Sequence, residues 1–149
     1  MSTTATNSLL LVGRILLSGM FILAGFQKFG DPASTAGMIT GAGIPAATLL
    51  TYLAGLFEVV AGLAVLIGFQ TRIAALLLAA FSVFTALVFH SGAIVIPGFP
   101  DAANGLLTVF NQLNMMKNLT IAGGFLALAA AGAGAYSIDA RRGSVAIAA

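Results

Sequence analysis

The sequence has no cysteine and very little charge: four Asp and Glu, six Lys and Arg and one His among 149 residues, 7% charged against 60% hydrophobic. Without cysteine there are no disulfides, thiolate metal sites, iron–sulfur ligation or thiol redox relays carried by this chain. Any redox chemistry must use something bound or borrowed. An ordinary soluble domain carries roughly 25% charged residues, so a water-facing shell cannot be assembled here. The net charge of +2 is a small surplus, not the clustered basic face that nucleic acid requires. A single histidine cannot supply both axial ligands of a bis-histidine haem, and no His or carboxylate spacing suits zinc or di-iron, so neither metal nor haem is indicated. The glycines form no strand-to-helix phosphate loop, and no serine occupies a nucleophile elbow.

What is present is apolar length. A hydrocarbon core of ~30 Å takes about 20 helical residues, and four stretches approach or meet that: 9–26, 48–69, 73–89 and 119–136. The expected fold is therefore an all-α membrane protein, a single four-transmembrane-helix bundle over residues 1–149. Arg14 ahead of an apolar stretch also resembles a signal peptide, but no small-x-small cleavage site follows, and the segment is read as a retained span. Gly68 and the Gln70-Thr71-Arg72 turn make the second and third spans an antiparallel hairpin. Asp31-Pro32 is a helix-start signature, and Gly41 to Pro45 a stop, which places a short interfacial helix after the first span. Leu106 to Leu113 reads as an N-terminal extension of the fourth. With four spans both termini share a side with Arg14, Arg72, Arg141 and Arg142, opposite Lys28 and Lys117, so both ends are expected in the cytoplasm.

Small residues recur at three- and four-residue spacing, the pattern that lets membrane helices approach closely. Ala54, Gly55, Ala61 and Gly62 surround Glu58; Ala75, Ala79, Ser82 and Ala86 lead from Arg72 towards His90; Gly25 lies between Arg14 and Lys28 on one stripe; and Lys117, Thr120, Gly124, Ala127 and Ala131 share a face. Glu58 falls at the centre of its run, where an ionised carboxylate costs roughly 2.5–3.5 kcal/mol to insert. Two readings follow. Either Glu58 pairs with Arg14, whose depth differs by about 8 Å at ~1.5 Å per residue, or it handles protons or contacts a ligand. Lys28, His90, Asn111, Gln112, Lys117 and Asn118 form a second constellation at the opposite membrane face. The lysines there either snorkel to headgroups or help to hold an anionic or carbonyl-bearing head group, and His90 is either a helix-terminal residue or a group titrating near neutrality. Phe21, Phe26, Phe57, Phe84 and Phe89 are candidates to line the apolar tail of such a ligand.

These residues carry a resemblance. Gly13-Arg14-Ile15-Leu16, Gly25-Phe26-Gln27-Lys28-Phe29, Asp31-Pro32, Ala42-Gly43-Ile44-Pro45, Glu58 with Gly62, Gly68-Phe69-Gln70-Thr71-Arg72, Phe89-His90, Lys117-Asn118-Leu119 and Gly123-Gly124 occur in the order and spacing of the DoxX-like family of small bacterial membrane proteins. The resemblance implies a four-helix inner-membrane protein, linked in some members to thiosulfate:quinone oxidoreductase or to redox complexes with soluble partners. Read with the residues, it gives an expected quinone-associated subunit with Glu58 and His90 as proton-relaying residues. Arg14, Lys28, Lys117 and Asn118 would then hold the cofactor, a quinone. The surroundings are lipid bilayer, redox partner proteins and further copies of the chain. Two alternatives stand beside it: a non-enzymatic scaffold or anchor held by Arg14 and Glu58, and a small proton-coupled exporter using a lone membrane-centre carboxylate.

Overall fold

A computed structural model describes residues 2–147. All of its regular structure is helical: α1 (Thr3–Gly30), α2 (Pro32–Gly41), α3 (Ala47–Ile67), α4 (Thr71–Phe89), α5 (Asp101–Ala131) and α6 (Ile138–Ile147). Three of these, α1, α3 and α4, are long and apolar enough to cross a membrane. The fourth expected span differs. Its helix stops at Ala131, not at residue 136, because Gly132 takes a positive φ of 85° there, and the helix begins far upstream at Asp101. The extension read at Leu106 to Leu113 is thus part of one 31-residue helix whose apolar portion is its second half.

Local sequence explains the helix ends. Asp31 caps α2 by accepting from the Ser34 amide, with Pro32 in the first turn, as expected. At the end of α3, Gly68 adopts φ 71°, and the Phe69 amide reaches back to the Ala64 carbonyl at 2.8 Å, the wrap-around closure that a left-handed residue allows. The hairpin into α4 follows directly.

α1 pairs chiefly with α3, and α4 with α5, as two antiparallel couples. The first couple is tight because glycine faces glycine. A Cβ on Gly25 would lie 2.6 Å from a Val59 methyl and 2.7 Å from the Gly55 carbonyl oxygen. The couples meet through an aromatic layer: Phe21 of α1 stands edge-on to Phe125 of α5 at 5.4 Å and to Phe81 of α4 at 6.5 Å, and Phe57 of α3 tilts onto Phe81 at 5.2 Å. From that layer towards the α3–α4 turn the interior is filled by Val65, Ala75, Leu78 and Phe125, all fully buried. The interior small-residue stripes of α1, α3 and α4 are where the sequence places them. On α5 the expected face is wrong: Thr120, Ala127 and Ala131 are exposed, and Ala122, Phe125, Leu128 and Ala129 are buried. The bulk of Phe125 is what fills the space between the couples, so small residues do not mark this interface. Leucines such as Leu16, Leu23, Leu56 and Leu63 cover the outside, as a lipid-facing surface requires.

Candidate functional site

Away from the turn, beyond the aromatic layer, the couples enclose a cavity of about 780 Å³. Phe21, Phe57 and Phe81 form its floor; Phe84 and Phe89 line the wall of α4, and α2 contributes Thr35, Met38 and Ile39. Lys28 and Glu58 lie on one wall, and His90, Lys117 and Asn118 on the other. Five of the six residues expected to relay protons or hold the cofactor therefore share one enclosure. Gln112 is exposed and lies outside it, and Phe26 points outward.

The sixth, Arg14, does not belong, and it does not pair with Glu58. Glu58, 4% exposed, takes Lys28 Nζ at 2.7 Å on Oε2 and 3.0 Å on Oε1. The register of α1 on α3 decides this. Gly62 packs on Ser18 and Ile22, and Gly55 on Gly25 and the Lys28 stem, so Arg14 comes level with Gly68. That is ten residues from Glu58, about 15 Å along a helix. Lys28 is one turn from Glu58 and turns inward to it, not outward to headgroups, leaving 17% of its side chain exposed. Glu58 is accordingly a paired carboxylate rather than a lone one.

On the facing wall, His90 ends α4, and its Nδ1 lies 2.8 Å from Asn111 Oδ1; Asn111 Nδ2 donates to the Gly92 carbonyl at 3.0 Å. Asn118 Nδ2 donates to Thr85 Oγ1 at 3.3 Å, and Lys117 Nζ to Asn114 Oδ1 at 2.8 Å. Each bond stays inside its own helix couple. Among the described residues no hydrogen bond or ion pair crosses this end of the bundle from one couple to the other.

The turn end is crossed repeatedly. Arg14, 1% exposed, donates to the Ala133 carbonyl at 2.8 Å and to that of Tyr136 at 2.6 Å, while its Nε has no partner. Asp139 accepts from the Gln70 amide at 2.8 Å and from the Thr71 amide and hydroxyl at 2.9 and 2.8 Å. It thereby caps α4 from the far end of the sequence. Burial by itself raises the pKa of this carboxyl, but the Thr71 and Gln70 donors and the charge of Arg142 outweigh it and hold the group below its ordinary value. Sequence reading missed Asp139. The available signal was the Gly68-Phe69-Gln70 turn itself, which offers α4 no capping side chain and so requires one from elsewhere.

A DoxX family model matches residues 9–91, from the span of Arg14 through His90. The chain belongs to the DoxX family. It is similar over its length to two DoxX-like proteins of Escherichia coli strain K12: 43% identical to inner membrane protein YqjF over 87% of this chain and 88% of that one, and 34% identical to inner membrane protein YphA over 89% of each. A membrane protein of Mycobacterium tuberculosis is 32% identical over 86% of this chain and 77% of its own. No solved structure matches significantly. As a DoxX protein the chain is a membrane protein, and the matched region holds the Lys28–Glu58 pair and His90; Lys117 and Asn118 lie beyond it.

Proposed function

We propose that this DoxX-family protein crosses the inner membrane four times with both termini in the cytoplasm, and that its cavity binds a quinone as part of a redox system completed by a partner protein. The fourth crossing would be α5, whose 31 residues extend about 46 Å at ~1.5 Å each. Orientation is supported by Arg14, Arg72, Arg141 and Arg142 at the turn end against Lys28 and Lys117 at the other.

The carrying observation is that Lys28, Glu58, His90, Lys117 and Asn118 line one cavity over an aromatic floor. That donor set fits a quinone: aromatic rings for its ring and tail, and polar groups on opposite walls for its two oxygens. A bound quinone supplies reversible uptake of two electrons and two protons. The chain supplies the rest. Lys28, with two N–H groups on Glu58, keeps a third to donate to a ligand oxygen. Glu58 and His90 are the groups able to take and return a proton within the cavity. Lys117 is placed at the rim to favour negative charge developing on the head group.

The test is to purify the protein in mild detergent, extract and quantify quinone, titrate a ubiquinone or menaquinone analogue, and identify co-purifying proteins. Binding in the low micromolar range is expected; absence of bound quinone together with no titratable binding would remove the reading. A second reading, a scaffold without ligand, is favoured by the Lys28–Glu58 pair, which ties α1 to α3. It predicts that Glu58→Gln weakens folding and leaves activity per folded molecule unchanged, whereas the quinone reading predicts a folded protein with impaired function.

A further inference from the structure

His90 is the one histidine of the chain, and its neighbours decide which of its nitrogens carries a proton. Asn111 donates to the Gly92 carbonyl at 3.0 Å, and only its amide nitrogen can do so, because a carbonyl oxygen accepts and never donates. Its Oδ1 is thereby turned onto His90 Nδ1 at 2.8 Å. An acceptor at that position requires a proton on Nδ1, so the neutral ring presents Nε2 as a bare lone pair. Asn111 is buried behind the ring and does not line the cavity, whereas His90 does. The edge left for a ligand is the one carrying Nε2.

Resting on the quinone-binding reading above, we propose that the cavity selects the reduced ligand, a hydroquinone, over the oxidised quinone, with Asn111 as the positioning residue that makes His90 Nε2 an acceptor. A quinone oxygen carries only lone pairs and meets the lone pair of Nε2 unmatched. A hydroquinone hydroxyl donates to Nε2, and its second oxygen still accepts from Lys28 on the opposite wall. Because His90 is half-buried, the missing hydrogen bond translates to about tenfold in affinity.

The experiment uses the full chain in nanodiscs, purified with a tag free of histidine and held without oxygen. Decylubiquinol, decylubiquinone and the dimethyl ether of the quinol are titrated in parallel. The quinol is expected to bind about tenfold tighter than either of the others. Equal affinity for quinol and quinone overturns the selectivity while leaving quinone binding intact; binding of none of the three overturns the quinone reading itself. Asn111→Leu is expected to collapse the preference and retain quinone binding, and a preference unchanged in that variant overturns the role of Asn111. Nitrogen NMR of histidine-labelled protein reads the ring directly, since one residue gives one pair of signals. A protonated Nδ1 and bare Nε2 are expected in the free protein, with the Nε2 signal moving when the quinol is added; a protonated Nε2 in the free neutral ring overturns the inference whatever the variants do.

Discussion

At one end of this bundle, Arg14 and Asp139 hold backbone that belongs to distant parts of the chain; at the other, Lys28 and Glu58 hold each other and leave the opposite wall alone. Both ends bury charge, but they use it differently. Main-chain partners cannot leave, so the turn end is fastened across both helix couples. The cavity end has its polar groups satisfied separately on each wall, so a guest reaching from one wall to the other would be the bridge that the protein itself does not make. Buried charge in a membrane bundle therefore does not identify a binding site by itself. What distinguishes the two ends is whether the polar contacts cross from one helix couple to the other or stay within each.

Substitutions that break this contrast should rank by how much they leave unpaired. Arg14→Leu strands two carbonyls that now receive a charged donor and is expected to cost about 3–5 kcal/mol. Unfolding in detergent micelles checks it, and the folded fraction should bind ligand as before. Lys28→Met leaves the Glu58 carboxylate alone among apolar neighbours, at about 3 kcal/mol. Adding Glu58→Gln should restore most of that stability without restoring ligand affinity, and strictly additive losses in the two single variants would show that the pair is not coupled.

Asp139→Asn sits lower, at about 1–2 kcal/mol, because the amide keeps one acceptor oxygen but turns an N–H group onto a donor in place of the second and gives up the charge. It also carries a pH signature. The folded carboxyl titrates below the unfolded value of about 3.9, so its stabilisation is complete above roughly pH 5 and is lost as pH falls through the folded value. The stability gap between wild type and Asp139→Asn should therefore be flat above that pH and close on acidification; a gap that widens in acid would contradict the cap. Smallest of all is Lys117→Gln. This exposed lysine bonds only a neighbour on its own helix, so stability should shift by less than about 0.5 kcal/mol, while a titration should show weaker binding of the cavity ligand.

Much of this arrangement is legible in the sequence, for physical reasons. Apolar length and the turn chemistry at Gly68 and Asp31-Pro32 are local properties, and the helices they announce are present. Glu58 and His90 stand out because a polar residue amid apolar ones must be placed deliberately. The choice of partner for Glu58 is not legible, because it depends on the register of α1 against α3. That register is set by Gly25 meeting Gly55 and by Gly62 meeting Ser18 and Ile22, which leaves Lys28 beside Glu58 and Arg14 about ten residues, or ~15 Å, further along. The Asp139 cap is hidden for a related reason: its partners lie 68 and 69 residues away. The end of α5 at Ala131 depends on Gly132 adopting its positive φ, which the run of small apolar residues around it conceals.

The fastening of Arg14 also has a history within each molecule's synthesis. Its carbonyl partners are 119 and 122 residues downstream. At about 5–20 residues per second, the first helix waits roughly 6–24 s on the ribosome before those acceptors have been made. The turn end of the bundle can therefore close only when nearly the whole chain has been translated.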